Sequence, residues 1–295
     1  MTISIAHLGP VGTNTETAGL AYVKELGKIG ADALLCPYPS IAQSLLAVAK
    51  GEVDLAVVPV ENSIEGSVTI TLDMLWQLDH LSIKQGLVLP ITHALISCAK
   101  DFKEIKTICS HPQALGQCQA WLEEYLPDVQ LVPANATTEA LQNLADDHTM
   151  GVIASPRAAE IYQLPILFHP INDRPENHTR FWIMQNDEKH DYNHYLEELS
   201  QNAPSISYTT SLAFSVPANV PGSLVNPLQV FARRQINLTK IESRPTKKLL
   251  GDYVFFIDIA ANQAEAETQN ALTELNNYTE ICKIFGSYNI LKVNL

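Results

Sequence analysis

The chain has 295 residues, 46% of them apolar and 17% charged, with a formal charge of −13. That length exceeds a typical single core, and the composition is that of an ordinary globular protein of two or three domains. No apolar run approaches the roughly 20 residues that span a bilayer, and the acidic excess argues against nucleic acid as a partner. The excess is confined to residues 1–204, with 11 Lys/Arg against 25 Asp/Glu; residues 205–295 carry 8 and 7. An anionic small substrate is still compatible with this charge if its site is made locally, from helix N-termini and a few cations. Residues 1–6 lack a basic n-region and read as a buried strand rather than a signal peptide. Cys36, Cys98, Cys109, Cys118 and Cys282 are odd in number and widely spaced. They read as free thiols in a reducing, cytoplasmic compartment, with no metal site and no disulfide framework.

Residues 3–8 form a strand that turns through Gly9-Pro10-Val11-Gly12-Thr13 into a helix at about 14–26. Ser40 and Gln43 make a capping box for a helix over 41–50, and Gly51 stands where a left-handed terminator belongs. A buried strand over 54–60 precedes a helix over 69–78, with Leu72, Leu75 and Trp76 on one face. A second alternating set follows: strand 105–109, a helix opened by Ser110-His111-Pro112 and running to 126, strand 129–132, helix 138–146, strand 150–154 and helix 157–162. Residues 181–185 return as a strand. Two α/β lobes with a late return strand predict a ligand cleft between them. A polar linker follows, with a short helix around 195–200. The rhythm then changes to strand 210–216, a helix to about 234, strands 237–244 and 253–260, helix 263–276 and strand 278–288. This β-α-β-β-α-β order is the ferredoxin-like split pattern.

Four segments carry candidate chemistry. Gly12 permits close backbone approach and Thr13 can cap the following helix, as an anion cradle or as a plain turn. Glu61, Asn62 and Ser63 sit at the C-terminal end of a strong strand, placed either to face a cleft or to cap the loop. Ser110 and Gln113 flank a helix N-terminus suited to a carboxylate, or to an ordinary N-cap. Asn177-His178-Thr179-Arg180-Phe181 sets a hydroxyl beside a fixed cation at the mouth of a strand. That suits an anionic substrate losing a hydroxyl group, or a surface salt bridge beside an ordinary strand threonine.

Read in order, G-P-x-G-T at 9–13, V-P-x-E-N-S-x-x-G at 58–66, H-P-Q-A-L at 111–115 and D-x-x-x-N-x-T-R-F at 173–181 closely resemble the prephenate dehydratases. Pro221-Gly222-Ser223-Leu224 and Glu242-Ser243-Arg244-Pro245 resemble that family's ACT regulatory module. The resemblance implies an α/β, two-lobed, periplasmic-binding-protein-like catalytic domain over 1–187. Lobe one would be about 1–77 with return strand 180–187, and lobe two about 78–179. A linker at 188–207 would lead to a ferredoxin-like ACT domain over 208–295. It further implies decarboxylative dehydration of prephenate to phenylpyruvate in L-phenylalanine biosynthesis, without metal or cofactor. Thr179 would be the catalytic hydroxyl. Gly12, Thr13, Glu61, Asn62, Ser63, Ser110, Gln113, Asn177, Arg180 and Phe181 would bind substrate or shape the site. Feedback by an amino acid, L-phenylalanine first, would act through Gly222, Ser223, Leu224, Val225, Asn226, Glu242, Ser243, Arg244 and Pro245. ACT pairing implies a homodimer or homotetramer, and neither a membrane nor nucleic acid is a partner. Two departures stand out: Asn14-Thr15 where the family usually has an aromatic and Ser/Thr, and Ser223 where it has Ala. An arogenate dehydratase and a non-catalytic amino-acid sensor are the alternative readings.

Overall fold

The computed structural model describes residues 2–134, 137–189, 192, 195, 198, 199 and 208–293. The first lobe is built on β1 (Ile3–Leu8), β2 (Ala33–Tyr38) and β3 (Leu55–Asn62), joined by α1 (Asn14–Lys28) and α2 (Ile41–Lys50). β1 pairs in parallel with both β2 and β3. Right-handed crossovers put helices on both faces of such a sheet, so β3 reads as one apolar run from Leu55 to Val58 rather than an alternation. The local signals hold: Thr13 caps α1, Ser40 accepts from the Gln43 N–H, and Gly51 takes the left-handed φ of 74° that ends α2. A short β4 (Gly66–Ser67) folds back on β3, and α3 (Thr69–Gln77) leads to β5 (Leu81–Pro90).

Strand β5 corrects the expected lobe boundary. It pairs along its whole length with the return strand β11 (His178–Asn186), which in turn pairs antiparallel with β3. Residues 81–90 therefore sit in the first sheet, not in lobe two. Their alternation of Lys84 and Gln85 among apolar residues masked the strand in the sequence.

The second lobe holds β6 (Ala94–Ile96), β7 (Thr107–Ser110), β8 (Gln130–Pro133), β9 (Met150–Ala154) and β10 (Ile166–Phe168) in the order β10-β6-β9-β7-β8. The helix expected over 112–126 is two helices, α4 (Pro112–Gly116) and α5 (Gln119–Tyr125). The Asp173 carboxylate accepts from the N–H groups of Ala120 and Trp121, both at 3.0 Å, and so starts a fresh helix where the sequence shows only continuous helix formers. Helices α6 (Thr137–Asn143) and α7 (Pro156–Tyr162) complete the lobe. Two chain crossings join the lobes side by side. The Ile91 N–H donates to the Asn177 carbonyl, the His93 N–H to Asn172 Oδ1, and the Ile171 N–H to the His93 carbonyl.

The expected helix around 195–200 lies largely outside the described residues. Tyr192 and Leu199 are buried against lobe one, and Tyr192 donates to Asp54 Oδ1 at 2.8 Å. The C-terminal module follows as β12 (Tyr208–Ser215), α8 (Val225–Ala232), β13 (Leu238–Pro245), β14 (Tyr253–Ile259), α9 (Ala266–Leu275) and β15 (Ile281–Lys292). Its strand order β13-β14-β12-β15 is ferredoxin-like, and its two helices cover one face.

The two domains share one sheet. Strand β15 pairs with β12 through Asn289, then runs parallel to β5 from Ile290 to Lys292. The described strands thus form a continuous ten-stranded sheet, β13-β14-β12-β15-β5-β11-β3-β1-β2 with β4 at its side. One buried cluster crosses the seam, joining Leu72, Leu75 and Trp182 to Phe256, Phe285 and Tyr288. Gly286 makes the crossing feasible. Its φ is +139°, and a Cβ there would stand 2.5 Å from the Ile83 carbonyl oxygen. Gly286→Ala is therefore expected to lower Tm by about 5 °C or more. Gly27→Ala, in helix α1 with no atom within 4 Å of the new methyl, should leave Tm unchanged or slightly raised; differential scanning calorimetry of both variants checks this.

Candidate active site

Between the lobes lies a cleft of about 530 Å³. The start of α1, the end of β3 and the start of β11 form one wall, and the starts of α4 and α7 the other. Thr179, 8% exposed, opens onto it from β11, with Phe181 two residues along on the same face. Opposite Thr179 in the ladder is Asn62, whose orientation is fixed by the backbone. Its Oδ1 accepts the N–H groups of Ile64 and Glu65, each at 3.0 Å. Its Nδ2 must then be the donor, to Thr179 Oγ1 at 2.9 Å and to Asn177 Oδ1 at 2.8 Å. Thr179 Oγ1 is consequently an acceptor from Asn62, and its own proton is left to donate toward the cleft.

The same logic runs on into lobe two. Asn177, fully buried, donates through Nδ2 to Gln117 Oε1 at 3.0 Å. That oxygen also lies 2.9 Å from His93 Nε2, while Gln117 Nε2 donates to Glu65 at 2.9 Å. Since Gln117 Oε1 can only accept, His93 carries its proton on Nε2. Burial depresses the His93 pKa, with the Gln117 bond opposing, so the ring is held neutral. Gln117, His93 and Glu65 were not singled out from the sequence. The helical i, i+4 spacing of Gln113 and Gln117 was the available signal, since it puts both amides on one face of α4 and its continuation.

The cradle expected at Gly12 and Thr13 is a matter of shape. Both line the cleft, yet the Gly12 N–H is held by Glu16 Oε2 at 2.5 Å, and the Gly12 carbonyl accepts from Ser155 across the lobes at 2.9 Å. Thr13 Oγ1 donates to the Leu8 carbonyl and accepts from the Glu16 N–H. The unexpected pair Asn14-Thr15 supplies what the cradle lacks. Their N–H groups head α1 without a partner among the described residues, at the positive end of a fifteen-residue helix that lines the cleft. Ser110 lines the opposite wall but spends its proton on the Ile153 carbonyl at 2.6 Å; Gln113 is exposed to the cleft. No Lys, Arg, Asp or Glu is among the described lining residues.

Glu61, Ser63, Asn177 and Arg180 do not line the cleft. Ser63 pins the entry of β11 through the His178 N–H, and Asn177 backs the network behind Thr179. Arg180, expected to offer its charge to a substrate carboxylate or to the loop that orients Thr179, is not among the lining residues. Successive strand residues face opposite ways, so the residue after Thr179 points away from the cleft. It donates to Glu61 at 2.9 Å and to Asp258 of the C-terminal module at 2.7 Å, and its guanidinium lies 5.9 Å from the Trp182 ring centre. Arg244, expected at an effector site, is likewise engaged: it forms a two-pronged pair with Asp73 of α3, at 3.1 Å for each prong. Burial alone would raise the Asp73 pKa, but the bonds from Arg244 and Lys247 outweigh it and hold the carboxyl below its ordinary range. Gly222, at φ +85°, turns the chain into α8, and Gly222, Val225, Asn226, Ser243 and Pro245 are exposed while Ser223, Leu224 and Glu242 are half-buried.

Residues 5–189 match the family model for prephenate dehydratase, and residues 210–277 match that for the ACT domain. The chain belongs to the prephenate dehydratase family. The bifunctional chorismate mutase/prephenate dehydratase of Aquifex aeolicus is 38% identical over 97% of this chain and 73% of that protein. The prephenate dehydratase of Bacillus subtilis is 35% identical, covering 97% and 98% of the two chains. Among solved structures, a prephenate dehydratase from Arthrobacter aurescens in complex with L-Phe superposes with a TM-score of 0.81 at 32% identity, over 97% and 90% of the chains. The two-lobed catalytic domain and ACT domain of this family are the architecture described above. None of the described helices is long and apolar enough to cross a membrane.

The neutral His93 gives stability a pH signature. Its folded pKa lies below the ordinary value of about 6.5, so the unfolded chain takes up the proton first. Its contribution is complete above about pH 6.5 and is lost as the pH falls below that. Tm is expected to drop between about pH 7.5 and 5.5, and by less in His93→Gln; thermal melts across that range check the sign.

Proposed function

We propose that this protein converts prephenate to phenylpyruvate, serving L-phenylalanine synthesis, with Thr179 as the catalytic hydroxyl. The observation that carries the proposal is the direction of the Asn62–Thr179 bond, which frees the threonine proton for a leaving oxygen. In the reaction the bond from the ring to its carboxylate breaks and its electron pair enters the ring. The C–O bond opposite breaks as hydroxide departs, and the ring becomes aromatic. The chemistry is downhill once the leaving group is assisted. Thr179 is a poor acid, so its part is to donate a hydrogen bond that strengthens as charge grows on the departing oxygen. The carboxylates of the dianion are met by the open N–H groups of Asn14 and Thr15, by Gln113, and by the field of α1. Neutral donors around the sheltered Thr179 suit this task, since electrostatic stabilisation is stronger where water is excluded than in bulk solvent. The sheltered Phe181 ring floors the site beside the reacting ring.

Arogenate, which carries an ammonium in place of the keto group, fits less well, because no carboxylate stands among the described lining residues. A non-catalytic sensor would have no use for a donor oriented by five linked side chains.

Regulation falls to the ACT domain. L-phenylalanine is the effector this reading favours, held by the turn at Gly222, Ser223 and Leu224 and the start of α8 at Val225 and Asn226. The facing copy's Glu242–Pro245 segment would complete that site, with Arg244 contributing only if its pair with Asp73 opens. Strand β13 is the outer edge of the sheet, and Ile241, Leu249, Leu250 and Tyr253 expose apolar surface near it. Pairing of two such edges supports a homodimer or homotetramer, which light scattering in solution would detect. The five cysteines are unpaired thiols, in keeping with a reducing, cytoplasmic setting.

Purified protein is expected to form phenylpyruvate from prephenate, with a higher kcat/KM than for arogenate. Thr179→Val should lower kcat by about a hundredfold or more while Tm stays near wild type, and Thr179→Ser should recover part of the loss. Near wild-type turnover by the valine variant would remove Thr179 from the chemistry. Added L-phenylalanine is expected to change turnover and raise Tm; no response in either would rule out that ligand.

A further inference from the structure

The face of β11 turned away from the cleft carries a ring of side chains, hydrogen-bonded from Trp182 round to Arg180 and closed through the strand itself. Trp182 Nε1 donates to the Tyr288 hydroxyl at 2.8 Å. Ser211 Oγ lies 2.8 Å from that hydroxyl and donates its single proton to Asp258 Oδ1 at 2.5 Å, so Tyr288 is the donor to Ser211. Asp258 Oδ2 accepts from Arg180, which returns the circuit to β11 two residues before Trp182. Trp182, Tyr288, Ser211 and Asp258 are each at most 3% exposed. Every donor direction is determined, and three of the five members belong to the ACT domain, one from each of β12, β14 and β15.

This ring is joined to the cleft network by two adjacent rungs of one ladder. Thr179 pairs with Asn62, and Arg180 with Glu61. On the cleft side Asn62 donates to Thr179; on the far side Glu61 and Asp258 together hold Arg180. Beyond Arg180 the ladder with β3 slips by one residue, while the ladder with β5 stays in register from His178 to Ile183; on the β3 side, where Asn62 stands, the ion pairs of Arg180 add to what the ladder fixes. Burial disfavours the Arg180 charge, while Asp258, Tyr288 and Glu61 favour it and raise its pKa overall. Such a buried cation is held in one place as long as its carboxylates remain, and removing one leaves the other charges uncompensated.

We propose that Asp258, a residue of the ACT domain, is a positioning residue for catalysis: through Arg180 it fixes β11 so that Thr179 meets Asn62 and aims its proton into the cleft. The proposal rests on the reading of Thr179 as the catalytic hydroxyl. It makes the regulatory domain a structural part of the active site in each chain, independently of any effector. It also gives Arg180 a role that its distance from the cleft would otherwise leave open.

The test is steady-state kinetics on the full-length protein in the absence of amino acids, with Tm and circular dichroism recorded for each variant. Asp258→Asn and Arg180→Gln are each expected to lower kcat by about tenfold or more with KM within about twofold. The double variant should be no slower than the slower single, because both break one link. Asp258→Glu should recover much of the rate. If the asparagine variant does not fold, Ser211→Ala and Arg180→Lys take its place, with a loss of several-fold in kcat and an unchanged KM expected. A kcat within twofold of wild type for these variants, or losses that multiply in the double variant, would overturn the proposal. Thr179→Val is measured in the same series: an active Thr179→Val overturns the catalytic reading itself, whereas an inactive one beside a normal Asp258→Asn overturns only the positioning.

Discussion

The arrangement depends on Asn62 having no choice of orientation. Two backbone N–H groups, from Ile64 and Glu65, claim its side-chain oxygen and leave its nitrogen to donate to Thr179 and Asn177. From that one constraint the donor pattern propagates through Asn177 and Gln117 to His93, spanning the joint between the lobes. Buried polar networks hold their members in set orientations, and this one ends at the cleft in a hydroxyl whose proton is surplus. The tight turn after β3 therefore orients the threonine proposed to assist the leaving group.

A second theme is the use of strand alternation to divide one strand between the cleft and the ACT domain. Thr179 and Phe181 face the cleft, and Arg180 and Trp182 face the ACT domain. A single strand thus reports to both compartments with no intervening loop. The domain seam is reinforced by charge in both directions. A catalytic-domain cation, Arg180, is held by an ACT carboxylate, and a catalytic-domain carboxylate, Asp73, is held by the ACT cations Arg244 and Lys247. Lys283 adds a third tie, to Asp79 and the Trp76 carbonyl. These pairs sit at the margin of a shared apolar cluster, so they fix orientation where hydrophobic burial alone would permit sliding.

The acidic surplus of the catalytic part is not a property of the cleft. Its described lining holds no Lys, Arg, Asp or Glu, and presents N–H groups, amides and hydroxyls. Net charge argued against nucleic acid as a partner but said little about the sign of the small-molecule site, because a site's field is made by the few groups within several ångströms of it.

Much was legible in the sequence because its signals are local. Thr13, Ser40 and Gly51 act within one turn of helix, and the βαββαβ order follows from hydrophobic period and turn residues. The family was readable from motifs kept in order. Which residues of a motif touch the cleft was not, since that depends on strand register and on partners far away in the chain. Gly12 and Thr13 were read as an anion cradle or a plain turn, and Glu16, Leu8 and Ser155 take up their polar groups. Arg180 was read as a cation for a substrate carboxylate or for the loop around Thr179, and the pleat turns it toward Asp258, 78 residues on. The break between α4 and α5 is imposed by Asp173 from the hinge. By itself the sequence determined the elements, the two-domain order and the chemical inventory. Tertiary structure alone decided donor directions, the single sheet through both domains, and the side of β11 on which each side chain acts, because hydrogen-bond polarity and strand facing are set by contacts between distant segments.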